Sequence, residues 1–167
     1  MLKQYTATDL ARLMGVSMDI AQLNYQRFQQ YVPGLHTADV RQAAGLAYVG
    51  DTYKGLNIQT FTADDLAYAQ CKLSILSGLY GVLRPLDVIQ PYRLEMATKK
   101  FMDQTLYEYW TRPLTAYLTA LDETIILNLA SQEYSSVIDK STLNKRWIDV
   151  TFYQRKDRGL KVIGLLA

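Results

Sequence analysis

The sequence predicts a single mixed α+β domain in which helices flank a mixed sheet and a β-hairpin lies near the carboxyl end. Its 167 residues are the length of one domain. Hydrophobic residues make up 49%, which is enough for a sizeable core. Helix-start signals dominate the first half of the sequence. In the last third, apolar and polar residues alternate, as they do in strands. We therefore expect residues 1–167 to form one domain without a linker or internal repeat.

Short helices are expected in the first half. Thr62 and Asp65 form a capping-box pattern, and Pro33-Gly34 is typical of a helix end. Residues 46–53 are compatible with a strand interrupted by a turn. The expected helix N-caps are Ser17, Thr37 and Thr62. The first of these helices carries, on or near one face, Ile20, Leu23, Phe28 and Tyr31.

The middle of the chain has a different pattern. Residues 73–85 are apolar and punctuated by glycine, which indicates a buried strand or helix end running into a tight turn. Thr105 is expected to cap a helix, and Pro113 either starts a new helical turn or kinks one long helix. A strong amphipathic pattern follows at Leu114, Tyr117, Leu118 and Leu121.

The last third of the sequence has the pattern of strands. Residues 124–130 resemble a strand buried on both faces. Apolar and polar residues alternate over 148–153, and 155–159 have the composition of a turn. Residues 160–165 are expected to return as the second strand of a hairpin.

Several classes of site are excluded by composition and motif. One cysteine and one histidine leave no disulfide framework and no zinc site built from those residues alone. The sequence contains neither a phosphate-binding loop nor a dinucleotide fingerprint nor a nucleophile elbow. We expect no cofactor and no metal site. No apolar run approaches the ~20 residues that span a bilayer, so we expect a cytoplasmic protein without a membrane partner.

Charge is segregated along the chain. The net charge is +2. Residues 140–161 contain seven basic and two acidic residues, a local charge of +5, which leaves −3 on the remainder. Trp147 and Tyr153 are interleaved with these cations. Such a patch suits a phosphate backbone and exposed bases. The alternative is a solvated hairpin turn with ordinary surface lysines, which charge alone slightly favours.

A second basic group consists of Arg84, Arg93, Lys99 and Lys100. Its two arginines follow turns shaped by glycine and proline, where backbone amides and a guanidinium can converge on an anion. The alternative is a structural role, for example an ion pair of Arg93 with Glu95 or Asp87.

The long string SGLYGVLRPLD at 77–87, continued by QPYRLEM at 90–96, closely resembles the YaaA peroxide-stress protein family. The hairpin expected over 149–164 is similar to the family's own. Three shorter stretches agree in order, namely 50–56, 106–110 and 128–134. The resemblance therefore extends over essentially the whole chain and implies a YaaA-like fold.

The resemblance also implies a role. The family is associated with resistance to hydrogen peroxide and with limiting free iron, and a DNA-binding role through a basic cleft and a helix-hairpin-helix-like element has been attributed to it. We place that element at 76–83, with Gly78 and Gly81 presenting amides to phosphate. Members normally start with a strand ending in Ser-Pro-Ala-Lys-Thr and carry Lys-Lys-Ala-Arg-Gly after the hairpin. The resemblance implies that this sequence lacks both segments, so we expect self-association through an exposed edge.

The leading hypothesis is a non-enzymatic stress protein that binds duplex or distorted DNA without sequence preference and limits iron-driven oxidative damage. An enzyme or binding protein for a small anionic or nucleotide-like ligand is the alternative, and an iron-handling protein is the third. The DNA- or anion-binding candidates are Gly78, Gly81, Arg84, Arg93, Lys99, Lys100, Lys145, Arg146, Arg155, Lys156 and Arg158. The alternative pocket would combine Arg84 and Arg93 with Tyr80, Glu95, Asn128, Ser131 and Glu133.

Overall fold

A computed structural model describes residues 2–34, 42–98, 103–156 and 159–163. Its helices are α1 (Ala7–Met14), α2 (Met18–Gln30), α3 (Ala44–Ala47), α4 (Asp51–Leu56), α5 (Ala63–Lys72), α6 (Leu106–Ala120) and α7 (Gln132–Ser135). Its strands are β1 (Gln42–Ala43), β2 (Ile75–Ser77), β3 (Gly81–Leu83), β4 (Val88–Ile89), β5 (Ile125–Asn128), β6 (Arg146–Asp149), β7 (Phe152–Lys156) and β8 (Gly159–Ile163). Short 3₁₀ turns span Leu2–Gln4 and Ile58–Thr60.

Threonine capping boxes begin three of the helices. In each, the threonine hydroxyl accepts the N–H of the residue three positions on, and that residue's carboxylate accepts the threonine N–H. These reciprocal bonds satisfy backbone donors that a helix start leaves without partners. The boxes at Thr62 and Thr105 confirm the predicted starts of α5 and α6. The box at Thr6 starts α1, a helix that the sequence reading missed.

Ser17 caps α2 as predicted, but the buried face of that helix is different from the expected one. Ala21 and Phe28 are buried, whereas Ile20 and Leu23 are 39% and 46% exposed. The helix is thus rotated relative to the predicted face. The helix expected from Thr37 starts in residues that lie outside the described ones.

The described strands form four two-stranded sheets. Three pairs are antiparallel, β1 with β4, β2 with β3, and β7 with β8; β5 and β6 are parallel. The mixed α+β class and the hairpin near the carboxyl end are confirmed. In the described part of the chain, the strands are divided among these small sheets instead of joining in one mixed sheet.

Two local predictions are wrong. Residues 46–53 fall in α3, a connection and the first half of α4 instead of a strand. Gly50 provides the extended N-cap of α4, and Asn57 ends that helix in the left-handed region at φ 46°. Strand β5 is not buried on both faces, because Ile125 and Leu127 are 49% and 57% exposed.

Helix α6 runs continuously through Pro113, so this proline starts no separate helix. Proline lacks the N–H that would bond to the carbonyl of Tyr109, four residues earlier. The buried face of α6 nevertheless packs into the main core through Leu106, Leu114 and Leu118.

The hairpin of β2 and β3 joins two hydrophobic clusters. Leu76 and Val82 pack against the main cluster, which includes Leu10, Phe28, Met96 and Val137. The other face of the hairpin contributes Ile75 and Leu83 to a smaller cluster with Ala44 and Ile89. Among the described helices, none has both the length and the apolar composition that spanning a bilayer requires.

Candidate functional site

The turn of the β2–β3 hairpin is packed against the protein's own chain. A Cβ at Gly78 would lie 2.4 Å from the Leu94 carbonyl oxygen, and one at Gly81 would lie 2.6 Å from the Trp110 ring. Gly81 also has φ +76°. Both glycines are therefore explained by close approach and backbone conformation. Residues 75–83 form an antiparallel β-hairpin and not the helix-hairpin-helix element placed there, which corrects that expectation.

A chain of hydroxyl groups lies beside this turn. The Ser77 Oγ accepts the N–H groups of Leu79 and Tyr80 at 3.3 and 3.0 Å, so its own proton is free to donate. Its partner is the Tyr92 hydroxyl at 2.5 Å, which is in turn 2.7 Å from the Tyr48 hydroxyl. Burial raises the pKa of Tyr92 well above its usual range, and it raises that of Tyr80 to about 12. These phenols stay protonated at neutral pH.

One terminal nitrogen of the Arg84 guanidinium, Nη1, is bound to backbone acceptors. It donates to the carbonyl oxygens of Cys71 and Leu73 at 3.3 and 3.2 Å, and the guanidinium carbon lies 5.7 Å from the centroid of the Tyr117 ring. The Arg84 N–H donates to Asp87 at 2.7 Å. Arg84 thus ties the hairpin to the end of α5 and to α6.

Arg93 lies in a different group of contacts. Its guanidinium is 2.6 Å from the Glu95 carboxylate, which is the structural ion pair considered from sequence. The Glu133 carboxylate accepts the Ala97 N–H at 3.0 Å, so Glu133 lies against the same segment, 93–97. Burial, with the charges of Glu133 and Glu95, raises the pKa of Tyr134 to about 12. The described contacts do not bring Arg84 together with Arg93 and Glu133 in one pocket.

Polar side chains meet at the carboxyl end of the parallel pair β5–β6. The register places Asn128 opposite Asp149, and the Asn128 amide donates to that carboxylate at 2.8 Å. The Trp147 indole and the Lys140 ammonium donate to the same carboxylate at 2.7 and 3.2 Å. The hydrogen bonds from Asn128 and Trp147 lower the pKa of Asp149. The Lys140 Nζ also lies 4.8 Å from the centroid of the Trp147 ring.

Ser131 follows this edge as the N-cap of α7. Its Oγ is buried and has no hydrogen-bond partner among the described residues. The neighbouring Asn128 Oδ1 accepts the Ala130 N–H at 3.0 Å. Asn128 therefore has protein partners on both its amide oxygen and its amide nitrogen.

The remaining predicted cations differ in their surroundings. The Lys145 ammonium donates to the carbonyl oxygens of Leu121 and of Glu123, the latter at 2.7 Å. Arg146 and Arg155 are exposed. Lys99, Lys100 and Arg158 lie outside the described residues. Lys156 belongs to β7, but its side chain lies outside the described part.

One apolar cavity of about 480 Å³ was not foreseen from the sequence. It has no local motif, because its walls come from segments that are far apart in the chain. Its aromatic lining is Phe28, Tyr31, Tyr109 and Trp110. Among the described residues, no three His, Cys, Asp or Glu side chains are grouped so that they could hold a metal ion.

Comparison with known proteins connects this geometry to a family. The model of the family described as peroxide stress protein YaaA matches residues 1–167. A UPF0246 protein of Acaryochloris marina is 42% identical over 170 residues, which cover 99% of this chain and 67% of the relative. UPF0246 proteins of Ruegeria pomeroyi and Legionella pneumophila are 42% and 39% identical, covering 99% of this chain and 66% and 67% of their own lengths. The chain thus spans about two thirds of the length of these relatives.

Proposed function

Because the chain belongs to the peroxide stress protein YaaA family, we propose that it protects against peroxide by binding DNA without reading its sequence. The observation that carries this proposal is a pair of exposed arginines, Arg146 on β6 and Arg155 on β7, the latter strand being paired with β8 in an antiparallel ribbon. This role requires access to the chromosome, so the proposal includes the cytoplasmic location expected from the sequence.

The shape of the ribbon suits a groove of duplex DNA. Strands β7 and β8 pair antiparallel, with Arg155 opposite Leu160 and Gln154 opposite Lys161. A two-stranded antiparallel ribbon fits the major groove of B-form DNA. The register places the basic residues 155, 156 and 161 near the turn end of the ribbon. Of these, Arg155 has a described side chain, and it is exposed.

Strand β6 extends the positive charge. Arg146 is exposed at its start, and Lys140 is 46% exposed beside the Trp147 ring. Contacts of this kind are sequence-independent, because Lys and Arg neutralise phosphates whatever the bases are. The engaged cations Arg84 and Lys145 have backbone partners of their own, so we leave them out of this surface.

Binding of the protein's cations to DNA phosphates also limits the damage that iron causes to DNA. Ferrous ions attracted to the DNA backbone react with peroxide and generate hydroxyl radicals beside the sugars. A protein whose cations cover those phosphates displaces the metal ions, as bound cations displace other counterions. We therefore propose that protection follows from DNA binding and needs no iron site on this chain.

Fluorescence-anisotropy titration of a labelled duplex at several salt concentrations tests the proposal. We expect binding that weakens steeply with salt. The variant R146A/R155A should reduce the slope of log affinity against log salt by about 2, since each lost phosphate contact contributes about 0.9. The matched control R12A/R112A removes two exposed arginines from α1 and α6 and should change the slope little.

Two outcomes would overturn the proposal. One is binding at low salt no tighter than that of a neutral control protein. The other is an equal loss of affinity in R146A/R155A and R12A/R112A, because that result would show that net charge and not the β6–β7 surface attracts the DNA.

A further inference from the structure

Five tyrosine rings follow one another through the described part of the protein. The ring centroids are 6.3 Å apart for Tyr31 and Tyr80, 5.4 Å for Tyr80 and Tyr92, 6.4 Å for Tyr92 and Tyr48, and 5.2 Å for Tyr48 and Tyr53. We call these five residues the tyrosine column. Its two ends lie at the carboxyl end of α2 and within α4. Separate segments of the chain thus supply a continuous series of neighbouring rings.

The hydroxyl groups of the column are linked as well as its rings. Tyr92 bonds to Ser77 and to Tyr48, and the Tyr80 hydroxyl accepts the Gln90 N–H at 3.0 Å. Packing alone would be served by phenylalanine, which buries a similar area without a polar group that needs a partner. The hydroxyls are therefore features that a hydrophobic core does not require.

We propose that the tyrosine column is a redox relay that carries one-electron oxidising equivalents from Tyr31 to the stacked pair Tyr48 and Tyr53. The oxidant is a one-electron oxidant of the kind formed when a metal ion reduces peroxide. It takes one electron from a phenol, which also loses its hydroxyl proton and becomes a neutral phenoxyl radical. In each later step the next tyrosine gives up an electron and its hydroxyl proton, and the preceding radical regains both as an O–H bond.

The hydroxyl chain gives the middle of the column a path for the proton. When Tyr48 reduces the Tyr92 radical, its hydroxyl proton crosses 2.7 Å to the Tyr92 oxygen and restores the O–H bond there. Ser77, whose Oγ lies 2.5 Å from the Tyr92 oxygen, holds that hydroxyl in place. The close ring contacts at Tyr80 and Tyr48 provide the path for the electron. Transfer through the column thus needs no movement of the backbone.

The pair at the end of the column allows a stable product. The rings of Tyr48 and Tyr53 are stacked, with an angle of 28° between their planes. If each loses one electron and one proton, the two radicals can couple through ring carbons ortho to the hydroxyls. After the rings regain aromaticity, the product is dityrosine, which has two hydrogen atoms fewer than the original pair. Two oxidising equivalents are consumed.

A tethered photo-oxidant tests the relay. The variant C71S removes the exposed cysteine, and V32C places a thiol beside Tyr31 at a side chain that is 43% exposed. This thiol is labelled with a ruthenium polypyridyl complex, and a cobalt(III) ammine serves as the sacrificial electron acceptor during illumination. Trypsin releases residues 42–54 as one peptide that contains both Tyr48 and Tyr53. We expect that peptide to lose two hydrogen atoms in the folded protein.

The variants separate a relay from direct oxidation. Y80F and Y92F each interrupt the column and should abolish most of the modified peptide, whereas the control Y68F changes a tyrosine that is 70% exposed and outside the column. S77A keeps every ring and removes the hydroxyl that holds Tyr92 in place, so it should slow formation of the product. Equal modification in the parent, Y80F and Y92F proteins would overturn the relay.

Folding of each variant is checked by near-ultraviolet circular dichroism before illumination. If Y92F fails to fold, Y80F decides the question alone, with loss of the product supporting the relay and unchanged yield contradicting it. The inference goes beyond DNA binding and uses none of the proposed DNA contacts. Anisotropy titration of the same variants therefore distinguishes failure of one proposal from failure of the other.

Discussion

The Trp110 indole N–H donates to the Gly78 carbonyl oxygen at 2.9 Å, and this bond joins helix α6 to the turn of the β2–β3 hairpin. The same indole ring occupies the space beside Gly81 that any side chain there would need. Trp110 thus fixes the turn through a polar contact on one residue and a steric contact on another. Held in this way, the hairpin turn positions Ser77 and the chain of hydroxyl groups.

Substitution of Gly81 by alanine should destabilise the protein by about 1–3 kcal/mol, since overpacking and backbone strain each have costs of this size. The added Cβ would stand 2.6 Å from the Trp110 ring, and the backbone has φ +76°. Urea unfolding followed by tryptophan fluorescence measures the change. Gly55→Ala is the control, because nothing lies within 4 Å of a Cβ there and alanine favours its helix. Equal destabilisation by both variants would contradict the packing role of Gly81.

The stability of the protein should fall as the pH rises from 10 to 12. Burial raises the pKa of Tyr80 and of Tyr134 from the ordinary value of 10 to about 12. In this window the unfolded chain has already lost these protons while the native protein retains them, so a further rise in pH favours unfolding. The measurement is the free energy of unfolding in urea across this window. Y134F should show a shallower decline, and a free energy independent of pH would exclude the effect.

Much of the fold could be predicted because its signals are local. The capping pattern at Thr62, the cap at Thr105 and the hairpin signals in 148–165 depend on residues a few positions apart. Helix α1 could have been found in the same way, since Thr6 and Asp9 repeat the pattern. The buried faces of α2 and β5 depend on distant packing partners, which periodicity does not identify.

The candidate site was harder to predict because charge in a sequence does not show which cations are already bound. The Arg84 guanidinium donates to the carbonyl oxygens of residues 71 and 73. These acceptors are backbone groups that every residue has, so the sequence does not identify them. The tyrosine column was also missed, because it too depends on tertiary structure. Its rings meet only after α2, α4 and the hairpin have packed together.

Asp149→Asn should strengthen DNA binding at low salt. Asparagine keeps an oxygen that can accept from Asn128 and Trp147. It lacks the negative charge that holds the Lys140 ammonium, which lies 3.2 Å from the carboxylate in the parent protein. One additional phosphate contact should steepen the salt dependence by about 0.9.

Asp51→Asn is the matched control for that prediction, because it removes the same charge from an exposed pair with Lys54 at 3.1 Å on α4. We expect little change in this variant. An equal gain in both variants would show that net charge alone controls the affinity, and it would count against the placement of Lys140 in the interface.

The adjacent cations Lys145 and Arg146 should have opposite roles. Lys145→Ala removes a charged donor from two backbone carbonyls and should cost about 1–3 kcal/mol of stability, a typical value for hydrogen bonds to charged groups. Its effect on the salt dependence of DNA binding should be small, because its ammonium is already engaged. Arg146→Ala should leave stability within about 0.5 kcal/mol, as exposed substitutions usually do, and lower the salt slope by about 0.9. Urea unfolding and anisotropy titration of both variants provide the comparison; a stable Lys145→Ala protein that has lost DNA affinity would return Lys145 to the binding surface.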